Sequence, residues 1–474
     1  MLKKKIKNIC CIGAGYVGGP TMAILAKYCP DIQVTVTDNN IARIRDWNSE
    51  DLSKLPIYEP GLDVIVDKYR GKNLHFSNEV EKNISIADMI FISVNTPTKT
   101  KGVGAGKASD IKWVEACARQ VANYAKNHTI IVEKSTLPVR TAEVIKNILE
   151  SATSFEEEKS TISFDVLSNP EFLSEGNAIR DLENPDRVLI GGENHEAIKA
   201  LSEIYENWVP IEKILYTNIW SSELAKLTAN AFLAQRISSI NSIGALCEAT
   251  GADVREVSRA IGTDSRIGAK FLDAGPGFGG SCFKKDILNL VYLASYFGLE
   301  EVANFWESVV KLNYWHQNRI SRLIVKKLFG TLSDKKIAIL GFAFKANTND
   351  TRESAAIQIC RDLLEEGAIL SIHDPKVSKK QIIKDLNFID NDKGSKEELN
   401  QLKKYFITDN IYDGFKDADA ILILTEWPEF SDINWKSAYK IMRKPGWVFD
   451  SRSIVNPEKV LASNLKLWRI GDGS

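Results

Sequence analysis

The chain has 474 residues, of which 44% are hydrophobic and 26% are charged, and this balance is typical of a globular protein and excludes a disordered one. Such a length corresponds to about two to four domains. Lys and Arg number 61 and Asp and Glu 62, so the net charge of −1 offers no basic excess for a nucleic acid partner. The seven cysteines, an odd number, favour a reducing compartment over a disulfide framework. Because no apolar run reaches about 18 residues, we expect no membrane span and a cytoplasmic protein.

The first part of the chain alternates apolar runs with helical or loop segments. The runs are apolar on both faces, as buried parallel strands are, and the alternation predicts repeated βαβ units in a doubly wound sheet. The predicted strands are Asn8–Ile12, Gln33–Thr37, Met89–Val94, Thr129–Glu133, Asp165–Leu167 and Arg187–Ile190.

A different pattern begins near Trp220. From Ser221 to about Thr250 there is no Pro, and apolar side chains recur near helical spacing, which predicts a helix of about 45 Å that joins domains. The α/β alternation restarts at Lys335. The strands predicted there are Lys336–Leu340, Ile369–His373, Ala420–Leu424 and Trp447–Phe449.

These patterns together predict an α/β fold with two Rossmann-like doubly wound domains, joined by a helical central domain with a long spine helix. The expected boundaries are residues 1–213, 214–330 and 331–474.

A dinucleotide fingerprint, G-x-G-x-x-G, occupies Gly13–Gly18 directly after the first predicted strand. Glycines at this spacing allow a tight turn, close approach of the backbone to a pyrophosphate, and close packing of helix on strand. The next strand ends at Asp38, where a carboxylate would accept hydrogen bonds from ribose hydroxyls and repel a 2′-phosphate. The sequence therefore favours NAD over NADP, although Arg43 nearby could face a phosphate.

Two further segments, Ser93–Thr98 and Glu133–Thr136, follow predicted strands. In open α/β sheets ligands bind at the carboxyl ends of strands, so these segments are expected to line the same site. Each of them alone could equally be an ordinary turn.

One thiol stands apart from the others. Cys282 follows Gly279-Gly280-Ser281 at a predicted helix start and precedes Lys284 and Lys285. The positive end of a helix stabilises a thiolate, which is the nucleophilic form of Cys. Asp286 lies one helical turn further on the same face. A single Cys is more often an inert core residue, and the other six cysteines lie in apolar patterns.

Three polar residues elsewhere are candidates for acid–base or oxyanion chemistry. Lys226 and Asn230 are four apart in the predicted spine helix and share a face, which could stabilise an oxyanion or could simply be solvated. Glu171 follows a strand and could act in proton transfer or as a capping carboxylate. No Cys or His cluster has metal-ligand spacing, so no metal is expected.

The third region repeats a nucleotide-site topology without the three-glycine pattern. Gly341–Lys345 follows a strand, and Asp350–Ser354 precedes a helix. One Lys and one Arg near a helix start suit a ligand that carries phosphates, but not a second NAD.

Taken together, these segments resemble the nucleotide-sugar 6-dehydrogenases of the UDP-glucose/GDP-mannose dehydrogenase family, in its eukaryotic-type branch. The resemblance covers nearly the whole chain, and its segments match in order. They are Gly13–Gly19, Ser93–Thr98, Asn169–Gly176, Ser222–Ser242, Gly277–Asp286, Gly341–Ser354 and Phe449–Arg452.

The resemblance implies an NAD domain, a helical dimerisation core and a UDP-sugar domain, in that order. It also implies oxidation of UDP-glucose to UDP-glucuronate by two NAD, with Cys282 as the nucleophile of a thiohemiacetal and then a thioester. Lys226 and Asn230 would stabilise the oxyanion, and Asp286 would activate water. Glu171 and Thr136 would assist proton transfer through water.

The fingerprint, the strand ends and the resemblance assign cofactor contacts to Gly13, Gly15, Tyr16, Val17, Gly18, Asp38, Arg43, Val94, Thr96, Ser135, Thr136, Glu175 and Arg352. Substrate contacts are assigned to Glu171, Phe172, Leu173, Lys226, Asn230, Arg266, Phe271, Phe278, Gly279, Phe344, Lys345 and Arg452. Arg266 would reach the sugar across the interface of a homodimer. Assembly of such dimers into a hexamer is an open alternative.

The sequence departs from the eukaryotic-type branch in one loop. Asp273 stands where that branch usually has Lys, and Gly275-Pro276 is not the usual sequence of that branch. Three alternatives stay open: the same chemistry on GDP-mannose or a UDP-N-acetylhexosamine, a simple hydroxyacid dehydrogenase, or a non-catalytic NAD-binding scaffold. The complete set of candidate catalytic residues disfavours a scaffold.

Overall fold

A computed structural model describes residues 5–136, 138–153, 162–387 and 404–473. By its internal contacts the chain divides into two compact units. Unit 1 comprises Met1–Ala229 and Leu288–Gly298, and unit 2 comprises Asn230–Ile287 and Leu299–Ser474. Two of the three boundaries, after Ala229 and after Ile287, fall inside helices. The boundaries of the three predicted domains remain a prediction.

Unit 1 contains one eight-stranded sheet in the order β3-β2-β1-β4-β5-β6-β7-β8. Its strands are β1 Asn8–Ile12, β2 Gln33–Thr37, β3 Leu74–Ser77, β4 Met89–Ile92, β5 Thr129–Glu133, β6 Phe164–Ser168, β7 Val188–Gly191 and β8 Ile214–Thr217. Its helices are α1 Gly18–Tyr28, α2 Ile41–Trp47, α3 Leu62–Tyr69, α4 Val80–Ile86, α5 Lys112–Tyr124, α6 Thr141–Thr153, α7 Ala178–Glu183 and α8 His195–Tyr205.

The central strand β1 shows why this sheet is covered on both faces. Ile9 and Cys11 point into one hydrophobic cluster, and Cys10 and Ile12 point into another. Successive strand residues face opposite sides, so an uninterrupted apolar strand needs a helical layer on each side. The doubly wound architecture predicted for this part of the chain is confirmed.

The sheet is not wholly parallel, which corrects one expectation. β6 and β7 meet through a single antiparallel pair, Ser168 with Gly191, whereas β7 and β8 are parallel. The two strands therefore pair only at their ends. The segment of chain that connects them contains the six-residue helix α7.

Unit 2 contains helices and a six-stranded parallel sheet in the order β11-β10-β9-β12-β13-β14. Its strands are β9 Lys336–Leu340, β10 Ile369–His373, β11 Tyr405–Ile407, β12 Ala420–Ile423, β13 Trp447–Asp450 and β14 Lys466–Arg469. The helices wholly within it are α10 Val254–Gly262, α12 Glu300–Lys327, α13 Ala355–Glu365, α14 Lys379–Leu386, α15 Ile411–Phe415, α16 Trp435–Ile441 and α17 Pro457–Leu461. The helices α9 Ile219–Thr250 and α11 Phe283–Tyr296 contribute residues to both units.

The strands that sequence reasoning missed are β3, β8, β11 and β14, and each of them forms an edge of its sheet. Edge strands are partly exposed and alternate apolar with polar residues, so they lack the continuous apolar run that marks a buried strand. The predicted spine helix is confirmed as α9, which has 32 residues.

The start of α9 lies against the end of β7 because Gly191 has no side chain. A Cβ at Gly191 would lie 2.5 Å from the Cβ of Ser222 and 3.0 Å from the carbonyl oxygen of Asn218. Glycine is therefore required here for close packing of α9 on the sheet, and this packing places the first turns of α9 in unit 1.

We predict that Gly191→Ala lowers the thermal denaturation midpoint, because the added methyl overpacks this contact at a cost of about 1–3 kcal/mol. Gly244→Ala in α9 is the matched control, since a Cβ there meets its nearest atoms at 3.6–3.7 Å, an ordinary contact. The control is expected to melt at or slightly above the wild-type temperature because Ala favours helix. Equal midpoints for Gly191→Ala and the wild type would contradict this account.

Candidate active site

The turn between β1 and α1 forms a cradle for a pyrophosphate. Gly13 has a φ of +113°, and a Cβ on it would lie 2.4 Å from the carbonyl oxygen of Ser93. A Cβ on Gly18 would lie 2.0 Å from the carbonyl oxygen of Gly13. At Gly15, in contrast, a Cβ would meet no atom within 4 Å. Two glycines are thus needed by the turn itself, while Gly15 leaves open the space that a bound pyrophosphate needs.

Asp38 is fixed beside this turn at the end of β2. Its Oδ2 accepts hydrogen bonds from the backbone N–H of Ala14 at 3.0 Å and from Nη1 of Arg43 at 3.0 Å. Arg43 is therefore paired with the carboxylate. This arrangement fits a dinucleotide with free ribose hydroxyls and supports NAD over NADP.

The loops after β4 and β5 are tied to each other, as their common topology predicts. The hydroxyl of Ser135 donates to the carbonyl oxygen of Val94 at 2.7 Å, and the hydroxyl of Thr96 donates to the carbonyl oxygen of Thr136 at 2.8 Å. Tyr16 and Val17 belong to the glycine turn, and Val17 directly precedes α1. The structure thus brings most of the candidate cofactor residues together at the carboxyl ends of the strands in the sheet of unit 1.

A buried ion pair joins Lys226 of α9 to Glu171 of the loop after β6. The Nζ and Oε1 atoms lie 3.0 Å apart, and the two side chains are 4% and 6% exposed. Burial acts to raise the pKa of Glu171. The positive charge of Lys226, a backbone hydrogen bond from Leu173 and the charge of Lys134 outweigh it, so the pKa is lowered. Glu171 is thus held as a carboxylate, which is one of the forms a proton-transfer group requires.

Lys134 is a second buried cation, and sequence reasoning did not assign it a role. Its Nζ donates to Oδ1 of Asn169 at 3.0 Å and to the hydroxyl of Tyr205 at 3.2 Å. Burial lowers its pKa to about 8, although the charge of Glu171 opposes this shift. Its partners lie 35 and 71 residues away, so no local pattern could have revealed it.

The loop that carries Glu171 is anchored at its far end by Glu59. This buried carboxylate accepts from the backbone N–H of Gly176 at 2.7 Å and from that of Ala178 at 3.1 Å. Glu175 lies within the anchored segment. Phe172 packs its ring under the guanidinium of Arg187 at 3.7 Å. Glu59 was also missed, because it acts across 117 residues of sequence.

In unit 2, Cys282 lies immediately before α11, as predicted. Its carbonyl oxygen accepts the first helical hydrogen bond, from the N–H of Asp286 at 2.9 Å, and its Sγ lies 3.4 Å from the hydroxyl of Ser281. All seven cysteines lie in the described part of the chain, and the six others are buried. Burial raises the pKa of Cys10 to about 12 and that of Cys29 to about 11, so these thiols are unsuited to act as nucleophiles.

Asp286 and Asn230 form a buried pair in the same unit. Nδ2 of Asn230 donates to Oδ2 of Asp286 at 2.6 Å, and the residues are 6% and 1% exposed. Lys285 lies 3.5 Å from Oδ1 of Asp286. The Asp286 carboxylate, one helical turn after Cys282, is thus fixed in position, as a group that orients water must be.

The loop before Cys282 packs against the loop after β9. A Cβ on Gly279 would lie 2.6 Å from the carbonyl oxygen of Glu353 and 2.9 Å from Cβ of Phe344. The N–H of Gly280 donates to the carbonyl oxygen of Arg352 at 2.8 Å. Phe278, which starts this loop, is buried.

Arg452 closes the other side of this loop cluster. Its Nη2 donates to the carbonyl oxygen of Phe344 at 2.9 Å, and its Nε lies 3.1 Å from Oε2 of Glu426. Lys345 extends along the ring of Phe344, with Nζ 5.6 Å from its centroid. One cation thus lies near the ring of Phe344 and another at its backbone carbonyl oxygen, a combination that suits a phosphorylated ligand.

Three residues predicted to contact ligands are Arg266, Phe271 and Arg352, and their surroundings within this chain differ from one another. Arg266 is highly exposed and pairs with Asp264, and its loop is held by the guanidinium of Arg236, which donates to three backbone carbonyls. Phe271 is 40% exposed and has a φ of +62°. Arg352 makes a bidentate pair with Asp350.

In the second Rossmann-like sheet, Asp374 takes the place that Asp38 has in the first. Asp374 directly follows β10, but its Oδ2 accepts from the N–H groups of Phe342 and Ala343 at 2.7 and 3.0 Å. Its Oδ1 accepts from those of Lys376 and Val377 at 2.8 and 2.9 Å. Asp374 thus accepts four backbone hydrogen bonds, whereas Asp38 accepts two, from Ala14 and Asn40.

Within the residues that the structure describes, no group of three or more His, Cys, Asp or Glu side chains could hold a metal ion. In the same ranges, no helix is long and apolar enough to cross a membrane.

Three family models match the chain in order. They describe the NAD binding domain of the UDP-glucose/GDP-mannose dehydrogenase family over residues 7–209, its central domain over 220–315, and its UDP binding domain over 338–457. The UDP-glucose 6-dehydrogenase of Drosophila melanogaster is 55% identical over 469 residues, which cover 98% of this chain and 96% of that protein.

Other relatives agree. UDP-glucose 6-dehydrogenase 4 of Arabidopsis thaliana is 53% identical over 473 residues, covering 98% of this chain and 97% of that protein. A UDP-glucose dehydrogenase from Pyrobaculum islandicum has a similar solved structure, with a TM-score of 0.82 and 28% identity, covering 100% of this chain and 99% of that one. The predicted fold class, with an NAD domain, a helical central domain and a UDP domain, is confirmed.

We predict that Gly15→Val weakens NAD binding by about tenfold or more, or about 1.4 kcal/mol, without lowering the thermal midpoint. The added side chain enters space that is open in the folded chain and that the pyrophosphate needs. Gly18→Ala is the comparison variant, since its Cβ would collide with the backbone of Gly13 and should lower the midpoint. Calorimetric titration with NAD and thermal denaturation measure the two effects. Unchanged NAD affinity in Gly15→Val would contradict the placement of the cofactor.

Proposed function

The chain belongs to the UDP-glucose/GDP-mannose dehydrogenase family, and from that premise we propose that it oxidises UDP-glucose to UDP-glucuronate with NAD. The observation that carries this proposal is identity of more than half with UDP-glucose 6-dehydrogenases over nearly the whole chain. Cys282, the half-buried thiol at the start of α11, supports the covalent mechanism described below.

The residues of unit 1 bind and orient the cofactor. The glycine turn Gly13–Gly18 holds the pyrophosphate, and Asp38 accepts hydrogen bonds from the adenosine ribose. NAD supplies a hydride acceptor, and conversion of an alcohol to a carboxylate requires two of them in succession.

Cys282 retains the substrate between the two oxidations. After the first hydride has left C6, the thiolate adds to the resulting aldehyde, a C–S bond forms, and the product is a thiohemiacetal. Loss of the second hydride converts this adduct into a thioester. Water then attacks the thioester carbon, the C–S bond breaks, and UDP-glucuronate leaves while the thiol is restored. Covalent retention prevents release of the reactive aldehyde.

Buried polar groups stabilise the charges that develop during these steps and move the protons. Lys226 and Asn230 stabilise the oxyanion on C6. Glu171, held as a carboxylate by Lys226, moves protons through water together with Thr136. Asp286, fixed by Asn230, orients the water that hydrolyses the thioester.

Unit 2 supplies the substrate contacts that we propose for the nucleotide and the sugar. Lys345 and Arg452 are the cations that suit the diphosphate, and Phe344 offers the aromatic surface between them. Phe278 and Gly279 bring the backbone next to Cys282 close to the ligand. Among the other unit 2 residues predicted to bind ligands, Arg352 would lie on the cofactor side, and Phe271 would contact the substrate.

We also propose that the working unit is a homodimer in the cytoplasm. Unit 2 exposes large apolar side chains on α9 and α12 that a second copy would cover. They are Phe232, Ile243, Leu246, Phe305 and Trp315. The exposed Arg266 would then reach the sugar of the partner subunit, and assembly into hexamers would be an outcome of sizing experiments. Seven free thiols fit a reducing compartment.

Counting NADH per sugar tests the proposed reaction. The wild type is expected to form two NADH for each UDP-glucose consumed, because C6 loses four electrons. Cys282→Ser should lose about a thousandfold or more in steady turnover, since the weakly nucleophilic hydroxyl cannot replace the thiolate. Turnover of GDP-mannose or a UDP-N-acetylhexosamine instead of UDP-glucose would overturn the substrate. NAD binding without turnover of any nucleotide sugar would favour a scaffold.

Mixed dimers test the role of Arg266. Arg266→Ala and Cys282→Ser are each expected to be nearly inactive alone. After co-expression, half of the dimers combine the two variants and hold one complete site, so about a quarter of wild-type activity should return. No recovery in dimers that are shown to be mixed would contradict a contribution of Arg266 across the interface.

A further inference from the structure

Two glutamates to which the mechanism assigns no role lie together in unit 1. Glu133 ends β5 and is 1% exposed, and Glu223 lies in the second turn of α9 and is 3% exposed. Their carboxyl groups interact with each other, and among the described residues neither oxygen of Glu133 has a hydrogen-bond donor. An ionised carboxylate can only accept hydrogen bonds, so a proton on Glu133 is what would allow a hydrogen bond between the two groups.

Each carboxylate oxygen of Glu223 accepts a hydrogen bond from a backbone donor and keeps a lone pair for a further donor. Its Oε2 accepts from the N–H of Arg140 at 2.7 Å, and its Oε1 accepts from the N–H of Ala142 at 2.8 Å. Arg140 has a φ of +78°, an uncommon conformation for a residue with a side chain. Amide donors favour the ionised form of their acceptor, so the negative charge belongs on Glu223 and the proton on Glu133.

The cations nearest along the chain have other partners. Lys134 is hydrogen-bonded to Asn169 and Tyr205, and Lys226 is paired with Glu171. The guanidinium of Arg140 lies 3.9 Å from Glu143 and over the ring of Trp220.

The pair therefore relies on a proton rather than on a cation. The hydroxyl of Ser168 lies near Glu133 and acts to lower its pKa. Burial, and next the charge of Glu223, raise the pKa of Glu133 well above its ordinary value. Burial raises the pKa of Glu223 as well, although its bonds from Ala142 and Arg140 oppose that rise.

We propose that Glu133 and Glu223 share one proton and form a positioning pair, which holds the start of α6 and the loop after β5 against the part of α9 that carries Lys226. The inference rests on the proposed function, because that loop carries Thr136 and Lys226 lies three residues after Glu223 in α9. Neither glutamate needs to contact the substrate or the cofactor.

Loss of the shared proton leaves two adjacent buried negative charges, which repel each other. A carboxyl group with a raised pKa stabilises the fold below its ordinary pKa, and this contribution disappears as the pH rises through the raised value. The start of α6 should therefore loosen at alkaline pH, and only when Glu133 can ionise.

Two substitutions of equal size separate this proposal from simple packing. The amide of Glu133→Gln can donate to Glu223 at every pH, and so imitates the protonated acid. Glu223→Gln instead turns an N–H₂ group toward Arg140 N or Ala142 N, so that one backbone donor loses its acceptor. We expect Glu133→Gln to keep kcat within about twofold and Glu223→Gln to lose about tenfold or more.

Hydrogen exchange measured by mass spectrometry supplies a readout that needs no turnover. In a peptide that covers residues 138–145, Glu223→Gln should lose protection at all pH values. The wild type should lose protection relative to Glu133→Gln as the pH rises above neutrality, and kcat should follow the same trend. If Glu223→Gln does not fold, the comparison of the wild type with Glu133→Gln across pH decides alone.

Equal effects of the two glutamine variants, or parallel pH profiles for the wild type and Glu133→Gln, would overturn the shared proton. The expected exchange pattern in a protein that does not oxidise UDP-glucose would support the pair and refute the proposed function. The two failures are thereby distinguishable.

Discussion

Helix α9 carries polar side chains into the interior, and each of them needs a partner because an unsatisfied buried polar group costs about 1–3 kcal/mol. In unit 1, Glu223 accepts from the start of α6, and Lys226 pairs with Glu171. In unit 2, Asn230 donates to Asp286, and Asn241 accepts from the N–H of Gly275. These pairs fix loops that carry the candidate chemistry.

The two units use similar sheets in different ways. Gly13 and Gly341 both follow a first central strand and both have a positive φ. After the first of them, the turn keeps open space at Gly15, which fits the pyrophosphate of a dinucleotide. After the second, Asp374 accepts four backbone hydrogen bonds, and the loop after β9 presents Phe344 and Lys345. One architecture thus gives a cofactor site in one unit and favours a sugar-nucleotide site in the other.

The sequence predicted features whose signal is local. Central strands such as Asn8–Ile12 and Lys336–Leu340 have the predicted bounds because continuous apolar runs mark strands covered on both faces. Cys282 was recognisable from its glycine loop and helix start. Edge strands were missed because exposure removes that run. Lys134, Glu59 and the Glu133–Glu223 pair could not be inferred from the sequence. Each of these charged residues is buried against partners that lie far away along the chain, so no local pattern marks it.

The most direct test of the covalent mechanism is intact-mass analysis of Asp286→Asn mixed with UDP-glucose and NAD and quenched in acid. This variant cannot activate the hydrolytic water as the carboxylate does, so a UDP-glucuronyl thioester should accumulate, and peptide mapping should place it on Cys282. Oxidation of UDP-glucose in this variant without any adduct, or with an adduct on another residue, would contradict the account.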